Sequence, residues 1–207
     1  MGLVKNFAKV VIFCGHKSTT SNNPYASALD CGACGGNHGD QNARLLANML
    51  NQKNIRQALK AHDIHIPEDT LFLGAVHDTT SDACDIFDDS LNQQHEALLK
   101  KIKLDLKLTQ EDNIAYRQQF FNQPRQTGVY RTHNWSELRP EWGLARNAAF
   151  IIGPRDLTCH TNLNGRSFLH SYDWQIDHDG SLLETILTAP MVVAQWINTQ
   201  YLFSTLN

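Results

Sequence analysis

The chain has 207 residues, 42% of them apolar and 19% charged, a composition that can bury a core and excludes a disordered tail. A formal net charge of -3 gives no basic excess for tracking a phosphate backbone, so no nucleic acid is expected as a partner. Five cysteines in no regular array, and an N-terminus without a basic segment followed by an apolar run, point to a reducing, cytosolic setting with no signal peptide.

In chain order, Ala8 to Cys14 is a continuous apolar run rich in β-branched residues, which reads as a buried strand of a parallel sheet. It ends at Gly15-His16 and a polar stretch follows, and ligand groups in open α/β sheets gather at such strand ends. The segment from Leu29 to Asp40 is dense in glycine and in metal-ligating side chains. A helix is predicted from Gln41 to Gln52, with Asp40 as its cap and Leu45, Leu46, Met49 and Leu50 on one face. A second follows from Asn54 to Ala61. Leu71 to Val76 reads as another buried strand, again ending in polar residues that include His77, Asp78 and Asp82. Two such strands separated by helices form a βαβ-type unit.

Asp89 to Phe121 has a helical pattern, with Leu91, Leu98, Leu99, Ile102 and Leu106 sharing a face. Residues Asn122 to Asn147 have little periodicity but hold Arg125, Arg131, Trp135, Arg139, Trp142 and Arg146, and a loop this long is expected to pack on something. Short strands are expected at Ala148 to Ile152 and Ser167 to Tyr172, and helices at Leu182 to Leu187 and Pro190 to Phe203. The last of these is interrupted by Gln195, Asn198, Thr199 and Gln200, too polar for the roughly 20 apolar residues of a membrane span.

Among chemistry-bearing groups, His16 at a strand end and Cys31-x-x-Cys34 in a tight turn have the residue types that zinc prefers. The same cysteine spacing serves redox dithiols, and equally describes small buried residues that merely pack. His77 with Asp78 and Asp82 reads first as a histidine hydrogen-bonded to a loop carboxylate. Cys14 reads as core, and Cys84 and Cys159 have no convincing partners. Asp173, Asp177 and Asp179 lack the closing glutamate of a calcium loop and read as a solvated turn. The arginines around Trp135 and Trp142 read as structural.

The string from Asn22 to Gly36, NNPYASALDCGACGG, closely resembles the DabA family, as do the stretches from Trp135 to Gly143, Phe168 to Asp173 and Leu187 to Ala194. The resemblance spans essentially the whole chain. It implies a β-carbonic-anhydrase-like α/β domain with a mainly parallel sheet flanked by helices, its zinc-site half at 1–122 and a loop-rich, helical portion at 123–207. It also implies Zn2+ held by two cysteines and one histidine, of which the histidine maps onto His16 and one cysteine onto Cys31, with fourteen residues between them. The other cysteine, an aspartate and a partner arginine belong to a Cys-x-Asp-x-Arg segment that this sequence does not contain, so the chain resembles a C-terminal-half fragment, inactive alone. Lys17 stands where the family commonly has glycine.

For the intact protein the resemblance implies hydration of CO2 to bicarbonate in an energy-coupled inorganic carbon uptake pump. The protein would be peripheral on the cytoplasmic face of the bacterial inner membrane, partnered by the cation-antiporter-like membrane subunit DabB. For this chain it implies weak zinc affinity through His16 and Cys31, with Cys34 or His38 filling in, and the missing N-terminal half as a further partner. Two other readings stay open: a self-contained zinc-knuckle or redox module on Cys31 and Cys34, and a non-catalytic scaffold that completes a site in trans.

Overall fold

The computed structural model describes residues 3–22, 29–88, 93–119, 127–136 and 149–205. Strand β1 (Val10–Lys17) pairs in parallel with β2 (Leu71–Asp78), in a register running from Val10 opposite Leu71 to Lys17 opposite Asp78. Helices α1 (Asp40–Asn51) and α2 (Lys53–Leu59) lie on the crossover between them, which makes the expected βαβ unit. A third strand, β3 (Cys84–Phe87), returns antiparallel along the other edge of β2, giving the order β1-β2-β3. It is absent from the sequence reading. Among the described residues two of the three strand pairings are parallel, within a mixed α/β arrangement of small sheets and helices.

The two faces of the central strand are covered differently. On one face α1 approaches so closely that a Cβ on Gly74 would stand 2.8 Å from the Arg44 Cα, so only small side chains fit beneath the helix. Ala43 and Ala47 fill that interface, whereas Leu45, Leu46 and Met49 are exposed, which corrects the apolar face expected for this helix. The helix also begins one residue earlier than expected, with Gly39 as the N-cap and Asp40 in its first turn. Phe13 stacks on Phe72 on this side, with centroids 5.8 Å apart.

On the other face, helix α3 (Gln93–Gln118) lays Leu99 against Leu71 and Leu73, with Val10, Ile12 and Ile86 packed around them. This is the apolar centre of the sheet, and truncating Leu99 to alanine there costs about 3 kcal/mol. Leu98 is exposed, not shared with that face, and Leu91 lies outside the described residues. His95, buried at the start of α3, hydrogen-bonds the Asp69 carbonyl at 2.7 Å through Nε2 and so anchors the helix to the turn before β2.

Within the stretch expected to be an irregular loop, helix α4 (Thr127–His133) forms and packs on the polar segment after β1. The Ser21 amide donates to the Thr132 carbonyl at 2.9 Å, and the Asn22 side-chain amide donates to the Arg131 and Asn134 carbonyls at 2.6 and 2.8 Å. Trp135 is exposed. Arg125, Arg139, Trp142 and Arg146 lie outside the described residues.

A second, two-stranded parallel sheet joins β4 (Ala149–Gly153) to β5 (Ser167–Ser171). Helices α5 (Ser181–Thr188) and α6 (Pro190–Thr205) follow. Asp177 starts α5 by accepting the Leu182 and Leu183 amides at 2.9 Å each, and it accepts the Tyr172 hydroxyl at 2.9 Å. Burial pushes its carboxyl up, but those amides and the hydroxyl outweigh this and hold it below the usual range. The Asp173–Asp179 run is therefore a turn, as expected, but Asp177 is buried in it and caps the helix where a solvated turn was expected. In α6, Ala194 and Ile197 are buried while Val192 and Trp196 are exposed. Among the described residues no helix is long and apolar enough to cross a membrane.

Candidate functional site

Because β1 and β2 run in parallel and in register, their two histidines, His16 and His77, stand side by side at the carboxyl end of the sheet. Alternation along each strand puts Cys14, His16, Ala75 and His77 on one face, and the antiparallel register adds Cys84, opposite His77.

The loop after β1 returns to this place through a contact between two glycines. A Cβ on Gly15 would stand 2.4 Å from both the carbonyl carbon and oxygen of Gly39, so no larger residue allows the approach. The Gly39 amide then donates to the His16 carbonyl at 2.9 Å. Buried Asp30 ties the other end of the loop to β1, accepting the Ser18 amide at 2.7 Å and the Ser18 hydroxyl at 3.2 Å.

Cys31 follows Asp30 and opens a tight turn, Gly32–Cys34. The Cys31 carbonyl accepts the Cys34 and Gly36 amides at 3.0 Å each, and its own amide donates to the Asn37 carbonyl at 3.0 Å. Gly35 and Gly36 supply the positive φ, 66° and 79°, that this reversal needs. Helix α6 roofs the turn: a Cβ on Gly32 would stand 2.6 Å from Ile197 Cγ1. Burial pushes the Cys31 thiol up, and its hydrogen bond with the Cys34 thiol pushes the same way. Cys34 accepts the Asn42 side-chain amide at 3.2 Å.

The two histidines end in opposite states. His77 places Nε2 3.1 Å from Asp82 Oδ1, and Arg117 Nη1 holds Asp82 Oδ2 at 2.9 Å. Arg117 also donates to the Thr79 carbonyl at 3.1 Å. The reading of His77 as a histidine bonded to a loop carboxylate is thus met, with Asp82 as the partner. Asp78 is spent elsewhere, on the Thr19 hydroxyl and the Thr80 amide. His16, by contrast, has a buried Nδ1 with no hydrogen-bond partner. Burial pulls its pKa below 6.5, Asp30 opposes this, and His77 adds to it. The result is a neutral imidazole whose ring nitrogen is shielded from water and uncommitted.

Such a nitrogen fits a metal ligand, since a buried polar atom left unpaired otherwise only costs stability. His16 and Cys31 are thereby brought to one end of the sheet, as two donors of the types zinc takes. Among the described residues, however, no group of three or more His, Cys, Asp or Glu converges to hold a metal ion. His38 is set aside from the turn, with Nε2 3.9 Å from Asp30 Oδ1.

Sequence reasoning passed over Asp30 and Arg117. The signal for Asp30 was its place directly before Cys31. Arg117 gave none, being on a distant helix. Cys14, expected in the core, is exposed, because among the described residues β1 is paired on one side only and its side chain falls beyond the apolar centre. Cys84, expected to lack partners, has its sulfur 3.8 Å from that of Cys14, since the unforeseen β3 brings it there. The hydrogen bond from Cys84 pulls the Cys14 thiol down to about 7 against the effect of burial, helped by His77, and the same bond pushes Cys84 up. Cys159 is exposed, its sulfur 3.6 Å from the Asp156 carbonyl oxygen.

No solved structure matches the chain. The family model described as "Probable inorganic carbon transporter subunit DabA" matches residues 1–207. Relatives bearing that description include a protein of Legionella pneumophila (strain Corby), 59% identical over 100% of this chain and 28% of its own length. Another, from Haloarcula marismortui, is 49% identical over 97% of this chain and 26% of its own length. A third, from Salinibacter ruber, is 47% identical over 100% of this chain and 27% of its own length. The chain thus spans about a quarter of the length of the relatives it matches, and it belongs to the DabA family of probable inorganic carbon transporter subunits.

Proposed function

We propose that this chain contributes His16 and Cys31 to a zinc centre that hydrates CO2, within a subunit of an energy-coupled inorganic carbon uptake system. The overall reaction converts CO2 and water to bicarbonate and a proton. Zinc held there supplies Lewis-acid activation of water. The buried, unpartnered Nδ1 of His16, fixed beside the Cys31 turn, carries the reading.

The chain's own residues do the arranging. Burial keeps the His16 imidazole neutral and its lone pair available, since a charged imidazole would need solvation that the site does not give. Asp30 locks the start of the Cys31 turn to Ser18, and the Gly15–Gly39 contact fixes the turn's far end. Ile197 covers Gly32 and limits water on that side. A tetrahedral site needs two donors more. In this proposal they come from the family's Cys-x-Asp-x-Arg segment, and the cation-antiporter-like subunit DabB couples the reaction to ion flow at the cytoplasmic face of the membrane.

Metal analysis tests the proposal. The purified chain, and the chain mixed with a polypeptide bearing the Cys-x-Asp-x-Arg segment, are compared for stoichiometric zinc. Zinc in the mixture alone, lost in His16→Ala and in Cys31→Ser, is the expected result. Tight zinc in the chain by itself, lost in Cys34→Ser but retained in His16→Ala, overturns it and identifies a self-contained knuckle. The hydrogen bond between the Cys31 and Cys34 thiols is the observation that favours that second reading.

A further inference from the structure

Helix α2 and the turn before β2 enclose a cavity of about 550 Å3 at the amino end of the central strand, the end away from the candidate metal site. Leu71, which lines it, stands roughly 20 Å along β2 from His77. The volume is that of a small-molecule site. Lys53, Arg56 and Lys60 line it, three and four residues apart, and so share one face of α2 and of the short turn Lys60–His62 that continues it. Among the described residues on the lining, Glu68 is the single carboxylate.

Arg56 is built into the cavity wall. Its Nε donates to the Leu50 carbonyl at 2.7 Å and its Nη1 to the Pro67 carbonyl at 3.0 Å. Its Nη2 donates to the Asn51 side-chain oxygen at 3.2 Å and to the Thr70 carbonyl at 2.6 Å. Every one of those acceptors is neutral. They fix the guanidinium in place, leave one Nη1 hydrogen over, and put no counter-ion in contact with its charge. Burial pulls its pKa down, and Glu68 opposes this without forming an ion pair. Lys53 and Lys60, both exposed, enter no hydrogen bond or ion pair among the described residues. His95, also on the lining, has its Nε2 occupied by the Asp69 carbonyl. Three cations thus face one carboxylate, an excess of two positive charges on a chain whose net charge is -3. We propose that this cavity binds a phosphate group as its dianion, carried on a small ester or a lipid headgroup. The double charge matches the excess, and the phosphate oxygens take several donors at once. Arg56 is the fixed donor, and the two lysines close on the anion from the rim as flexible point charges. The site uses neither His16 nor Cys31.

Inorganic phosphate is the probe, titrated by calorimetry into the 207-residue chain at fixed ionic strength and about pH 8, where the anion is doubly charged. Saturable binding at one equivalent, at least about tenfold weaker in the Lys53→Gln/Lys60→Gln double variant, is the expected result. Without phosphate the double variant should melt with the wild-type chain, since both side chains are exposed and unpartnered. Glu68→Gln, which removes the opposing charge, should bind more tightly. No saturable binding, or equal binding by the wild-type chain and the double variant, overturns the proposal. Co-sedimentation with phosphatidylcholine vesicles, with and without phosphatidic acid, separates the two sources of phosphate. Sedimentation that needs phosphatidic acid and is lost in the double variant identifies the headgroup; phosphate binding without sedimentation identifies a soluble ester. His16→Ala should leave phosphate binding unchanged while abolishing zinc uptake in the mixed sample described above, so the two readings fail separately.

Discussion

His16 and His77 are neighbours in register, each following an apolar strand and preceding a polar turn, and they differ only in what the turn brings back. After β2, five residues return Asp82 to His77, and Arg117 from α3 closes on the carboxylate, so the imidazole is committed within the fold. After β1, a longer loop brings back Asp30 and Cys31, but Asp30 is spent on Ser18 and Nδ1 of His16 is left over. Equivalent strand ends thus become a structural clamp and a candidate ligand site. The difference lies in whether the local carboxylate has a donor of its own to satisfy.

The largest effect should come from the clamp. Asp82 has a side chain only 2% exposed and serves both His77 and Arg117, whose side chain is 22% exposed. Asp82→Ala strands the guanidinium in a site whose burial already lowers its pKa, and should cost about 4 kcal/mol in chemical denaturation. A loss no greater than that of His77→Ala would show that the pair does not hold the turn. Next is Gly15→Ala. Its Cβ meets the Gly39 backbone at 2.4 Å, which no rotamer change relieves, so a loss of about 3 kcal/mol is expected. The same substitution should lower zinc uptake in the mixed sample, because it pushes the Cys31 loop off β1. His77→Ala should cost about 1 kcal/mol, since Arg117 still holds Asp82 and the imidazole is 33% exposed, and it should leave zinc uptake unchanged.

The sequence made the strands legible because β1 and β2 are continuous apolar runs, and it made the loop legible because glycine and cysteine crowd there. Strand β3 was hidden: four residues, Cys-Asp-Ile-Phe, are too short and too mixed for a period to emerge. That single omission concealed the contact between Cys14 and Cys84. The inward face of α1 was misread because leucines look more buried than alanines until the closeness of Gly74 to Arg44 is known. At the site, His16 and Cys31 could be named from residue types and the family resemblance. The unpaired state of Nδ1 could not, because it depends on where Asp30 finds its donors.

The smallest expected effect is the most direct test of the contrast. Burial lowers the pKa of His16 below 6.5, its ordinary value, with Asp30 opposing and His77 adding to the shift. A depressed pKa means that the unfolded chain takes up the proton more readily than the fold does. The stabilisation is therefore fully present above about pH 6.5 and is lost as pH falls through the lower, folded-state value. Replacing His16 with leucine removes the titrating group along with its unpaired nitrogen. Stability near pH 7 should then change by about 0.5 kcal/mol or less, while that part of the acid-side slope disappears. In His77→Ala the slope should persist but end at a higher pH and cost less in total, because one of the causes that depress the folded-state value of His16 is gone. Superimposable slopes for the wild-type chain and His16→Leu would mean that His16 is solvated like any surface histidine, and the distinction between the two strand ends would collapse.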